Sequence, residues 1–433
     1  MPPRILASHQ ELYEQHFDEA SFLWLQWERG LVAPEYVLDE VSEFEERLLA
    51  HVDGLVLGGT PVAEWLLAPA LEETELERRT VAAYTLLSPE VPSGSELVRT
   101  ALEAAPPKVL PAFQRALEAR EREALPSWLP TLLKQEEPGR LALALEVCAW
   151  HGMHPGPGLP GLLGHEEPTV AAAALRVAAR LDEGVEPDVL RRHLDSPVPA
   201  LRDAAIEAGL LGGHRSAWVA CQSALEKGAP GLRLPALVLA MGGDARDLER
   251  LKNLLAEPRH RPDALWALGF SGQPSAAEAC LEWMEDKAVS HLAAEAFCAI
   301  TGLHLEERFI ASSPEEESLP ALEEEDLDAD LNPKAEDALP RPVAAQVSAW
   351  WKEARKDFEL ERRYLNGKPF RAEVLLEALL TAPMRRRHVL ALELALRSRG
   401  ELRVPTRAFT PHQRKALAAV RAATPARFSR PFV

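Results

Sequence analysis

Between Leu141 and His304 the chain returns to one kind of sequence roughly every 30 residues, and that period limits its fold more than any other feature. The clearest copy runs Asp195-Ser196-Pro197-Val198-Pro199-Ala200-Leu201-Arg202-Asp203-Ala204-Ala205 and closes at Leu211-Gly212-Gly213. Weaker copies close at Leu181 to Gly184, Met241 to Gly243, Leu268-Gly269 and Ile300 to Gly302. An alanine-rich unit of this length, punctuated by Pro and Gly, encodes a pair of helices. One pair cannot cover its own apolar stripe, so successive pairs must stack. In the 195–225 copy, Leu201, Ala204, Ala205, Ala208 and Leu211 share the face that meets neighbouring helices. Asp195 and Ser196 are expected to cap that helix and Pro197 to sit in its first turn. Trp218, Val219, Gln222 and Leu225 mark the second helix.

Composition agrees with helix. Of 433 residues, 47% are hydrophobic but only 6% aromatic, Ala and Leu dominate, and strand-type Val-Ile-Thr alternation is nearly absent. The expected fold class is all-α: an α-solenoid of helix pairs with N- and C-terminal helical modules. Residues 1–70 form the first module. There Leu38, Val41, Phe44, Leu48 and Val52 make one amphipathic stripe, which Asp53-Gly54 and Gly58-Gly59 are expected to end. The repeats occupy 71–304, most clearly 141–304, and their first part is divided by Pro92, Pro106-Pro107, Pro126, Pro130 and Pro138. Residues 305–342 crowd acidic residues between prolines and read as a linker or surface insertion. Residues 343–433 return to helix, with Ala372 to Leu380 and His388 to Leu396 as a pair and Ala416 to Ala423 as a last short helix.

The net charge of −19 conceals three blocks. Residues 1–305 hold 26 bases and 46 acids, 306–337 hold 2 and 13, and 341–433 hold 20 and 8. Arg385-Arg386-Arg387, with Arg362, Arg363, Lys368 and Arg371, form the sharpest basic cluster and are the candidate partner-binding residues. Such a cluster can attract an acidic protein partner, bind nucleic acid, or balance the acidic blocks of the same chain. Aromatic residues interleave poorly with it, which disfavours nucleic acid.

No motif assembles a reaction. His151 and His154 are the one close histidine pair, but Gly152, Pro155, Gly156, Pro157 and Gly158 make their segment read as a loop rather than a shared helix face. Gly156-Pro157-Gly158-Leu159-Pro160-Gly161 lacks the flanking strand and lysine of a phosphate loop. Glu45 and Glu46 are adjacent, so they point in different directions and read, like Asp39 and Glu43, as solvated faces. Trp24, Trp27, Trp350 and Trp351 read as core. No catalytic, cofactor-binding or metal-binding residue is assigned. Cys148, Cys221, Cys280 and Cys298 lie far apart and are expected to be reduced, buried thiols. No apolar run reaches signal-peptide or membrane-span length, so a cytoplasmic protein is expected.

The spacing Asp195-x-Pro197-Val198-x-x-Leu201-Arg202-x-Ala204-Ala205, with Ala293-Ala294-Glu295-Ala296-Phe297-Cys298-Ala299-Ile300-Thr301-Gly302, resembles HEAT-like repeats, including those of phycobilisome-lyase type. Three stretches extend the resemblance. They are Phe22-Leu23-Trp24 with Glu45-Glu46-Arg47-Leu48 and His51 to Leu55; Ala294 to Phe297 with Ile300-Thr301-Gly302; and Trp350-Trp351 with Arg363-Tyr364-Leu365-Asn366-Gly367-Lys368-Pro369. Over nearly its full length the chain is similar to an uncharacterised bacterial family of HEAT-like proteins. The resemblance implies a cytoplasmic protein often encoded near type VI secretion genes, and it implies no activity. The expectation is a non-enzymatic scaffold or adaptor that docks a protein partner, acidic if the basic cluster receives it. The alternatives are a lyase-like enzyme acting on a protein-bound group, or a nucleic-acid-binding module using residues 362–415. The sequence does not set the oligomeric state.

Overall fold

A computed structural model describes residues 4–181, 183–311, 334–423, 428 and 432. The core of the acidic block, 312–333, lies outside the described residues. Among the described residues the fold is all-α apart from an isolated Ile310–Pro342 bridge and one hairpin of two-residue strands, β1 (Tyr364–Leu365) and β2 (Lys368–Pro369). Helices follow in the order α1 (Arg4–Gly30), α2 (Leu38–Leu57), α3 (Gly59–Val62), α4 (Ala68–Ala70), α5 (Leu76–Leu86), α6 (Gly94–Ala104), α7 (Leu110–Ala119), α8 (Leu129–Leu132), α9 (Pro138–His151), α10 (Leu159–Leu163), α11 (Pro168–Leu181) and α12 (Pro187–Leu194). Then come α13 (Pro199–Leu211), α14 (Arg215–Glu226), α15 (Arg233–Gly242), α16 (Ala245–Leu254), α17 (Arg261–Ser271), α18 (Pro274–Leu281), α19 (Ser290–Thr301), α20 (Ala344–Ala354), α21 (Ala372–Thr381), α22 (Met384–Arg397) and α23 (Thr410–Ala422).

The chain forms two compact units: residues 1–31, 36–220 and 391–433, and residues 32–35 and 221–390. In the first, α1, α5, α7, α9, α11 and α13 pack side by side, each on the next. In the second, α15, α17 and α19 do the same. These helices carry the small apolar faces read from the repeat: Ala171 to Ala174 on α11, Ala204, Ala205 and Ala208 on α13, and Ala293, Ala294 and Ala296 on α19 are buried. Small side chains let helix axes approach. A Cβ on Gly269 of α17 would lie 2.9 Å from the Ala296 Cα of α19. The array of paired helices is the α-solenoid expected from the period.

Several local expectations change. In α13 the first-turn proline is Pro199, and Val198 precedes it as N-cap without a side-chain bond. Asp195 instead ends α12, and the Ser196 hydroxyl accepts from the Val198 amide. α2 runs through Asp53-Gly54 to Leu57 and ends at Gly58; Gly54 lies against the His16 ring, whose nearest atom would be 3.1 Å from an added Cβ. The C-terminal residues do not form a compact module of their own: 343–390 belong to the second unit and 391–433 to the first. The acidic block is closed at its base, where Ile310 pairs with Pro342 and the Ala311 amide donates to the Arg341 carbonyl at 2.9 Å. Its two ends therefore meet, as they do in a surface insertion.

Candidate functional site

A helix leaves its last carbonyls without intrahelical donors. In this chain, arginines from residues 363–403 supply many of those donors. In the second unit Arg363 donates to the Phe270 carbonyl at 2.7 Å and to Ser271 at 3.1 Å, and Arg386 donates to Gly269 at 2.9 Å, all in the last turn of α17. In the first unit Arg399 donates to Leu210 of α13 at 2.7 Å, and Arg403 to Ala179 of α11 at 2.6 Å. A guanidinium at a helix C-terminus also meets the negative end of the helix dipole.

The sequence-predicted basic cluster is thereby divided. Arg385, Arg386 and Arg387 are 7%, 5% and 0% exposed. Arg385 pairs with Glu295 at 3.3 Å and with Glu336 at 2.9 Å, and lies 4.4 Å from the Trp266 ring centroid. Arg386 lies 4.0 Å over the Phe270 ring, and burial lowers its pKa to about 10. Arg387 donates to the Leu379 carbonyl at 2.7 Å. Buried charges of this kind are not open to a docking partner, so the expected partner surface is corrected at Arg385, Arg386 and Arg387; Arg363 is half-buried, its guanidinium bonded to the end of α17. Arg362, Lys368 and Arg371 remain exposed, the first two beside Glu359 (2.5 Å) and Glu377 (2.7 Å).

The three distinctive stretches have structural roles. The Asn366-Gly367 turn carries positive φ at both residues, 50° and 74°, as a tight hairpin requires. The hairpin covers two helix ends: Tyr364 N donates to Gly272 O at 2.7 Å, Asn366 N to Ala299 O at 2.8 Å and Gly367 N to Ile300 O at 3.0 Å. Trp351 packs edge-on against Phe297, with centroids 5.4 Å apart. Glu45, read from sequence as solvated, is 3% exposed. It accepts from Trp27 Nε1 at 2.8 Å, from the Thr410 amide at 2.7 Å and from the Thr410 hydroxyl at 2.7 Å. This fixes the first turn of α23 against α1 and α2.

A pocket of about 410 Å³ opens in the first unit between α1, α5 and α7. Trp24, Leu25, Leu76, Pro111 and Ala112 give it apolar walls, and Glu28, Glu77, Arg115, Glu118 and Arg407 give it charge. Arg115 pairs with Glu28 through Nε and donates to the Arg407 carbonyl at 2.7 Å. Arg407 also pairs with Glu28, at 2.8 Å. Arg115 Nη1 is buried without a hydrogen-bond acceptor, and Glu118 lies 3.7 Å from it. Burial pushes the Glu118 carboxyl above its ordinary value. The charged row continues from α7 across the neighbouring helices, through the Glu146–Arg176 pair of α9 and α11 to Arg202 and Asp203 on α13 at 3.2 Å. Burial raises Glu146 and Asp203 as well. Sequence reading missed this site, because its residues come from three helices and a loop nearly 300 positions away. In the folded chain Phe22 and Leu76 are apolar residues left 55% and 41% exposed; Leu76 lines the pocket, and Phe22 lies one turn from its Leu25.

His151 and His154 do not converge. His151 donates from Nε2 to the Leu117 carbonyl at 3.1 Å, and His154 pairs with Glu183 at 2.8 Å. Cys148, Cys221 and Cys280 are buried, and burial pushes the Cys280 and Cys298 thiols up to about 12. Among the described residues no group of three His, Cys, Asp or Glu side chains is placed to hold a metal ion. No described helix is long and apolar enough to cross a membrane.

No family model matches the chain, and no curated protein does. Among solved structures it is similar to human deoxyhypusine hydroxylase in complex with glycerol, at 19% identity over 67% of this chain and 98% of that one, TM-score 0.25. An engineered protein is similar at 14% identity over 87% of this chain and 98% of that one, TM-score 0.27. At these TM-scores neither likeness bears on activity.

Proposed function

We propose that this chain is a non-enzymatic scaffold that docks a protein partner on the helical repeats of its first unit. The observation that carries the reading is the pocket between α1, α5 and α7, whose apolar wall includes the exposed Leu76; Phe22, also exposed, lies on α1 one turn before the lining residue Leu25. Exposed large apolar side chains beside a pocket are the usual mark of a docking surface. The helical repeat supports the reading, since stacked helix pairs present long surfaces to partners. The sequence resemblance adds the expectation that the partner belongs to a type VI secretion system in the cytoplasm.

The test is affinity capture from native-host lysate, comparing the unmodified protein with the Phe22→Ser/Leu76→Ser variant by quantitative mass spectrometry. Both positions are exposed, so the variant should keep its fold, checked by circular dichroism. Proteins retained by the unmodified chain and lost from the variant support docking, and secretion components among them support the pathway. Identical protein profiles from the two would reject the site, and profiles without secretion components would reject the pathway.

A further inference from the structure

The first two long helices meet through a pair of histidines. His16 of α1 and His51 of α2 face each other with their Nδ1 atoms 3.0 Å apart, and the rings cross edge-on with centroids 5.1 Å apart. The far edge of the His16 ring lies against Gly54, one turn after His51, where an added Cβ would stand 3.1 Å from Cε1 and Nε2. The ring is therefore held between two positions of α2. Two ring nitrogens at this distance are joined through one proton: one Nδ1–H donates, and the other Nδ1 must be bare to accept. An imidazolium carries a proton on both nitrogens, so the contact survives when one ring of the pair is charged. With both rings charged, two N–H groups point at each other and no acceptor is left.

The surroundings do not support two charges. Glu19, one turn after His16 on α1, favours the charged form of His51, and Arg47, one turn before His51 on α2, opposes it. A doubly protonated pair would set three cations against that one carboxylate. Other charged groups of the packed helices act elsewhere: Arg78 of α5 on Asp18 and Glu73, Arg79 on the Glu73 carbonyl, Asp53 and Arg120 on Tyr84, Arg414 of α23 on Asp39, and His412 on Glu121. Glu77 lines the pocket, Lys415 and Arg421 are exposed, and Tyr13, one turn before His16, lies at Gly58. We propose that His16 and His51 form a pH-sensitive clasp between α1 and α2, closed by one shared proton and opened when both rings are protonated. Burial, and after it the neighbouring His16, hold His51 below its ordinary value of 6.5. The clasp is therefore intact above pH 6.5 and is lost as pH falls through the depressed value of His51.

The experiment is hydrogen–deuterium exchange of the unmodified protein, His16→Asn and His51→Asn at about pH 7.5 and about pH 5, with rates corrected for intrinsic exchange. Asparagine places an uncharged N–H near the position of Nδ1, so each variant keeps a donor for the remaining ring and neither can hold two charges. In the unmodified protein, acid should lower the protection of peptides covering 13–19 and 48–55 by ~5-fold or more relative to α11 and α15, which carry no histidine. That excess should disappear in both variants, and either variant reads it if the other fails to fold. No excess in the unmodified protein, or an equal excess in the variants, overturns the proposal. The proton itself is read in the unmodified protein by nitrogen-15 NMR of the imidazoles. At about pH 7.5 one ring of the pair should show a protonated Nδ1 and the other a bare one. Two bare Nδ1 atoms would overturn the clasp even if exchange responds to acid.

Discussion

At the scale of single residues, the chain's unusual positions are spent inside the fold. Glu45 receives three donors on two oxygens, and desolvation raises its carboxyl above its ordinary value in spite of them. A glutamine there must turn its NH2 toward at least one donor. Glu45→Gln should therefore destabilise the protein by ~1–3 kcal/mol, read from urea midpoints, the cost of leaving a buried donor unpaired. Nothing in sequence separates Glu45 from Glu46, because the partner that buries it, Thr410, lies 365 positions away. His151 makes a second case. Burial lowers its pKa from an ordinary value of 6.5, so the fold holds the neutral ring, which donates to Leu117. Its contribution is fully present above about pH 6.5 and is lost as pH falls through the depressed folded value. The stability gap between the unmodified protein and His151→Gln should therefore shrink between about pH 7.5 and pH 5, measured by urea unfolding. A gap that widens on acidification would contradict this assignment.

At the scale of elements, the helices were legible and their ends were not. The stripe from Leu38 to Val52, the pair at 372–396 and the repeat helices all follow from apolar spacing, which is local. Ends depend on what covers them. The hairpin of residues 364–369 was read only as a distinctive stretch, since its strands are two residues each and their partners are the ends of α17 and α19. Gly302 shows the consequence. Its φ is +75°, and a Cβ would lie 2.7 Å from the Asn366 carbonyl. Gly302→Ala should cost ~2 kcal/mol or more, because conformational strain adds to a backbone clash. Gly161, in α10 with open space around it, gives the opposite sign: Gly161→Ala should stabilise by ~0.5–1 kcal/mol. Thermal unfolding of the two variants side by side checks both values.

At the scale of the whole molecule, charge blocks in the sequence do not translate into charged surfaces. The basic excess of residues 341–433 reads as a face for partners, yet much of it closes helix ends and neutralises buried carboxylates such as Glu295. Sequence gives the number of charges in a segment, and only packing decides which of them meet water. The same holds for the pocket, whose charged residues are unremarkable members of an acidic chain until three helices and Arg407 bring them together. Urea unfolding of two variants tests the account of the basic cluster most directly. Arg386→Gln should lose ~3–5 kcal/mol, because it leaves Glu295 and the Gly269 carbonyl short of a buried cation. The triple variant Arg362→Gln/Lys368→Gln/Arg371→Gln should change by less than ~1 kcal/mol, as exposed charges do. A small loss for Arg386→Gln, no larger than that of the triple variant, would mean that the arginine run lies on the surface and would contradict the account.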